Sequence, residues 1–209
     1  MTAPFDPRAD EIVRFWFGDA LTSTEAAIAR AKIWFNADPR FDAELTRRFG
    51  ECPDRARQGD FDHWAREPGS VLARILVLDQ FPRNMFRNTP RAFEYDALAA
   101  AAAVAAVDAG FDARLHPLLA AFMYLPFEHA EDAALQARSV QAFEALERRA
   151  PPGLEALFAG FTDYAHRHRR IIERFGRFPH RNAILGRTTS AEEAAYLEQG
   201  GDRFGVGGA

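Results

Sequence analysis

The sequence predicts an all-α protein, and three observations carry that reading. Alanine is abundant and β-branched residues are scarce, with 40 Ala against seven Val and seven Ile, thin material for a large sheet. Helix start and stop signals recur from end to end. No segment alternates apolar and polar residues between turn residues, the mark of a half-buried strand. A chain of 209 residues, 48% hydrophobic and 27% charged, can bury a sizeable core. The expected architecture is a single-domain array of antiparallel helices over residues 1–204 without clear sequence repeats. Gly205-Val206-Gly207-Gly208-Ala209 is expected to be a flexible tail.

Taken in order, Asp6-Pro7 supplies an N-cap and a proline at the first helical position, and Gly18 stops that helix after Phe15-Trp16-Phe17. Asp38-Pro39 repeats the start. Behind it Phe41, Leu45 and Phe49 fall at i, i+4 and i+8 on one face before Gly50. Cys52 precedes Pro53 in an expected polar loop. Ser70 is expected to cap an all-round buried helix over Val71 to Phe81. Thr89-Pro90 opens an Ala-rich helix that Gly110 ends. Its most apolar run, Ala97 to Val107, is eleven residues long, whereas a membrane span needs about 20. His116-Pro117 opens another helix, which Pro126 kinks unless it starts the next one. Pro151-Pro152-Gly153 separates that run from a helix reaching Phe175. Ser190 and Glu193 have capping-box spacing for a last helix that stops at Gly200-Gly201.

Charge narrows the function classes. Of 26 basic residues, Lys32 is the single lysine and 25 are arginine; against 30 acids the net charge is −4. That removes the electrostatic footprint of a nucleic-acid binder. The lone Cys52 cannot form an internal disulfide, and the N-terminal Met1-Thr2-Ala3-Pro4-Phe5-Asp6 lacks the basic and apolar regions of a secretory signal. A cytoplasmic protein without a membrane partner is the expectation.

One motif occurs twice. Leu78-Asp79-Gln80-Phe81-Pro82-Arg83-Asn84 leads through Arg87 to Thr89-Pro90, and Arg174-Phe175-Gly176-Arg177-Phe178-Pro179-His180-Arg181-Asn182 leads through Arg187 to Thr189-Ser190. Proline pushes the phenylalanine before it toward extended geometry, so both copies read as loops. Seven arginines crowd these segments and their flanks: Arg83, Arg87, Arg91, Arg174, Arg177, Arg181 and Arg187. If the loops converge, planar guanidinium forks and the Asn84 and Asn182 amides suit a carboxylate or phosphate. The alternative is that the arginines pair with nearby acids and brace the loops.

Two further groups carry chemistry. On one helix, His129, Asp132 and Gln136 at i, i+3 and i+7 would share a face, with Glu128 and Asp132 paired at i, i+4, an arrangement open to metal ligation or a general base. It could equally be a solvated acidic face. His168 interrupts the apolar stripe formed by Phe161, Tyr164, Ala165, Ile171, Ile172 and Phe175, either as a satisfied core histidine or as a site histidine.

At these residues the sequence resembles the DUF924 family of bacterial proteins. The similarity runs through Phe15-Trp16-Phe17-Gly18, Leu78 to Asn84, Met123-Tyr124-Leu125-Pro126 with His129, Glu131 and Asp132, and His168 through Phe175 to Arg187. Phe127-Glu128 stands where that pattern has a more hydrophobic pair, which sets Glu128 aside as a site residue. The resemblance implies a tetratricopeptide-like helical fold and no assigned reaction or cofactor. The candidate ligand-binding set is Asp79, Gln80, Arg83, Asn84, His129, Glu131, Asp132, His168, Arg177, His180, Arg181, Asn182 and Arg187. The favoured expectation is a pocket for a small anionic molecule. The alternatives are a tetratricopeptide-like module clamping a peptide carboxylate and a metal-dependent hydrolase on His129, Glu131, Asp132 and His168.

Overall fold

The computed structural model describes residues 6–205. The leader reading of Met1 to Phe5 and the tail reading of 206–209 lie outside the described residues. Among the described residues there are ten α-helices and no strand. They are α1 (Pro7–Phe17), α2 (Thr24–Phe35), α3 (Pro39–Phe49), α4 (Cys52–Arg57), α5 (Pro68–Met85), α6 (Asp96–Asp108), α7 (Pro117–His129), α8 (Ala133–Glu147), α9 (Glu155–Phe175) and α10 (Ala191–Glu198). The all-α class is as expected. Among the described residues no helix is long and apolar enough to cross a membrane.

Local chemistry explains most boundaries. The Asp6 carboxylate accepts from the Arg8 and Ala9 amides, and Asp38 from those of Arg40 and Phe41. Ser190 and Glu193 form a complete capping box. Gly176 closes α9 at φ 69°, the left-handed conformation that only glycine adopts freely.

Burial overrides local preference at two prolines. Glu67, not Ser70, caps α5, and the helix runs through Phe81-Pro82 to Met85, so Phe81 is helical rather than extended. An internal proline costs about 3 kcal/mol. Fourteen of the 18 residues of α5 are buried, including Leu72, Ile75, Leu76, Leu78 and Phe81, and each large apolar side chain contributes about 1.5–3 kcal/mol. For the same reason α7 crosses Pro126 unbroken to His129. Thr89-Pro90 opens only a 3-10 turn, Pro90–Phe93, before α6 begins at Asp96. Cys52 is buried within α4 rather than placed in a polar loop, and burial pushes its thiol up.

Helix α5 is the axis of the core. It packs against α1, α3, α4, α6 and α7, while α9 lies along α8 and touches α7. Trp16, Phe17, Phe49, Phe81 and Phe122 fill the space around it and are almost fully buried. A stacked repeat array touches only sequence neighbours. One helix contacting five others does not establish the tetratricopeptide-like arrangement.

Candidate functional site

A cavity of about 570 Å³ opens where the ends of α2, α5 and α7 meet α9 and the 3-10 turn Pro179–Arg181. Gln80, Arg83 and Asn84 reach it from α5, Glu128 and His129 from the end of α7, His168 from α9, and His180 and Arg181 from the turn. Aromatic and aliphatic groups form the walls, among them Trp34, Phe35, Phe93, Leu125, Phe161 and Phe204.

Asp79 sits beneath this floor, wholly buried one turn before Arg83. Its Oδ1 lies 2.7 Å from His129 Nδ1 and 3.3 Å from Arg83 Nη1, and its Oδ2 accepts from Gln80 Nε2 at 2.6 Å. Burial alone would push this carboxyl up. Arg83, His129 and Gln80 more than offset that, and hold it below the usual carboxylate range. A carboxylate facing Nδ1 fixes the neutral His129 tautomer with its proton on that nitrogen, leaving Nε2 as the acceptor. Burial and then Arg83 lower the His129 pKa despite Asp79.

Asp96, the first residue of α6, joins the two Phe-Pro segments. Its carboxylate takes both Arg83 Nη atoms, at 2.9 and 3.0 Å, and its Oδ2 also takes Arg181 Nη1 at 3.3 Å. The Arg181 guanidinium lies between the rings of Phe178 and Phe93, 4.4 and 4.7 Å from their centroids. Its Nε is buried and has no partner among the described residues. Burial first, then the repulsion of Arg83, bring Arg181 down to about 10 even beside Asp96.

Three further groups complete the floor. His168 donates from Nδ1 to the Tyr164 carbonyl at 2.9 Å and stacks on Phe204, with ring centroids 3.6 Å apart. Burial holds it well below the ordinary histidine value. Glu128 is 4% exposed, its Oε1 is 3.4 Å from His168 Nδ1, and its Oε2 has no partner among the described residues. Burial and then Asp79 push Glu128 up to about 8, so it carries its proton at neutral pH. His180 is lowered to about 3 by burial and by Arg181.

The other sequence-selected residues lie outside the cavity lining. Arg177 grips Glu193 at 2.6 and 2.8 Å, and Asn182 donates to the same carboxylate at 3.2 Å. Glu131 accepts from Arg187 at 2.6 and 3.0 Å and from the Phe178 amide at 2.8 Å. Asp132 caps α8, because α7 ends at His129, so His129, Asp132 and Gln136 do not share a helix face. His129, Glu131 and Asp132 therefore diverge. Among the described residues no group of three or more His, Cys, Asp or Glu is placed to hold a metal.

Sequence reasoning missed Asp96 and the aromatic walls, and set Glu128 aside. An acid opening an Ala-rich helix reads as a helix-dipole partner, and aromatics at helical spacing read as core. The unexplained charge of Glu128 inside Leu125-Pro126-Phe127 was a signal for it.

The pattern of the family described as "Bacterial protein of unknown function (DUF924)" matches residues 12–201. A solved structure, of a protein of unknown function from Agrobacterium tumefaciens, is 38% identical, covering 92% of this chain and 97% of its own, with a TM-score of 0.78. Among curated proteins no relative matches. With nearly its whole length inside the family pattern, the chain belongs to the DUF924 family of bacterial proteins.

Proposed function

We propose that the cavity binds a small anionic molecule, with Arg181 as its anchor. The observation that carries this reading is the state of that guanidinium. It is buried and, among the described residues, it shares its one carboxylate with Arg83 and its Nε is unpartnered. A buried cation so weakly paired is costly until an anion completes it. The neighbouring Glu128 is protonated and adds no negative charge, so it does not repel an arriving anion.

A peptide-clamping groove needs arginines along an open surface, and Arg83 and Arg181 instead sit at the floor of a cavity. The divergence of His129, Glu131 and Asp132 likewise leaves the metal-hydrolase reading without its ligand set. We place the protein in the cytoplasm, where a single thiol suits a reducing environment.

Thermal unfolding in the presence of small carboxylates and phosphates tests the binding reading. Anions that bind should raise the melting temperature of the wild type, and Arg181→Gln should lose about 2–5 kcal/mol of that binding. Equal stabilisation of a folded Arg181→Gln variant by the same anions would contradict the assignment.

A further inference from the structure

We infer that the anion taken by this cavity is the carboxylate of an amphipathic monoacid, an alkyl or aryl carboxylate, and not a phosphate. This rests on the anion-binding reading and narrows it.

The first argument is charge count. Arg83 already holds Asp96 through both Nη atoms, and at the cavity edge Arg87 holds Asp42 through Nε and Nη2 at 2.8 and 3.3 Å. Arg83 and Arg181 together face Asp79 and Asp96, two guanidinium groups against two carboxylates. Among the described residues of the cavity, Arg181 is the arginine with room for a further partner. A phosphate monoester brings about −1.5 to −2 charges at pH 7 and would face two carboxylates, Asp79 and Asp96. A carboxylate brings one charge, which a single guanidinium fork matches.

The second argument is the wall. Trp34, Leu125 and Phe161 are buried, while Phe35 and Tyr164 are 51% and 46% exposed at the same cavity. Those two are among five exposed large hydrophobic side chains of the described residues. A free phosphate would cover none of this surface. An alkyl or aryl body attached to the anion would cover it, and a volume of about 570 Å³ lies within the usual range for small organic ligands. Apolar walls beside a polar floor that carries the Arg181 anchor suit an amphipathic molecule.

Calorimetric titration with five probes separates the possibilities: 4-phenylbutyrate, octanoate, 4-phenylbutanol, inorganic phosphate and phenyl phosphate. The two carboxylates should saturate one site. The alcohol, which keeps the body and loses the charge, should bind at least tenfold more weakly, as should both phosphates. Tyr164→Ser, at an exposed position, should weaken 4-phenylbutyrate at least threefold with an unchanged melting temperature. If Arg181→Gln fails to fold, the acid–alcohol comparison and Tyr164→Ser still decide. Phosphates binding as tightly as carboxylates would overturn the monoacid class and leave the anion reading standing. An alcohol as tight as its acid, or no binding by any probe, would overturn both. Unchanged affinity in Tyr164→Ser would overturn the role given to the apolar wall.

Discussion

Replacing Glu128 by glutamine isolates the electrostatic cost of a carboxyl group buried beside Asp79. Burial is the larger cause and Asp79 the second, and together they push Glu128 from its ordinary 4.5 up to about 8. Between those values the unfolded chain has released this proton and the folded chain keeps it. The folded state then binds more protons, so stability falls as pH rises through this window. At about 1.4 kcal/mol per pH unit, the loss is about 3 kcal/mol at pH 7 and approaches 5 kcal/mol above pH 8. Below pH 4.5 it disappears. Glutamine keeps the shape without titrating, and its amide at the unpartnered Oε2 position costs about 1–3 kcal/mol at every pH. The pH trend is therefore the diagnostic quantity, not the offset. Urea unfolding of both proteins at pH 5, 7 and 8.5 measures it. The difference should move in favour of Glu128→Gln by about 4 kcal/mol from pH 5 to pH 8.5. Parallel stability curves would refute the reasoning.

Other substitutions test neighbouring parts of the floor. Asp79→Asn removes the carboxylate between Arg83 and His129 and should cost about 3–5 kcal/mol in chemical unfolding, because Arg83 keeps Asp96 as its one carboxylate beside the Asp79 carbonyl and His129 loses its charged acceptor; a loss below about 1 kcal/mol contradicts the network. Burial lowers the His168 pKa in the folded state, so unfolding takes up a proton and stability drops as pH falls below about 6.5. His168→Leu should therefore flatten the acid limb of the stability curve, and an unchanged limb would count against a buried neutral imidazole. Ser190→Ala removes half of the capping box and should cost about 1 kcal/mol, read as a lower melting temperature.

What the sequence made legible and what it hid divide along the range of the interaction. Asp6, Asp38, Ser190 and Gly176 act within a few residues, so their signals are local and the helix ends they set were readable. Pro82 was misread, and Pro126 does not start a new helix, because a local preference of about 3 kcal/mol competes with burial that only the assembled core supplies. The arginines illustrate the same limit. Arg177 and Arg181 are four residues apart in one motif, yet Arg177 pairs with Glu193 while Arg181 reaches Asp96 across 85 positions. Nothing in the motif distinguishes a bracing arginine from one that lines a cavity. The pairing of Asp79 with His129, 50 residues away, was likewise invisible, although both residue types were singled out. Helix α2 was not anticipated, since Ala27 and Trp34 are its only buried residues and they leave no apolar period to read.

The most direct test of the central claim follows the Arg181 side chain itself. In ¹⁵N-labelled protein, the Nε–H resonance of Arg181, assigned by its loss in Arg181→Lys, is monitored while 4-phenylbutyrate is added. An anion completing that guanidinium predicts a saturable shift of this resonance, with Arg177 and Arg187, already paired to Glu193 and Glu131, unmoved. A still Arg181 signal, or a linear drift shared by all the arginines, would contradict the account.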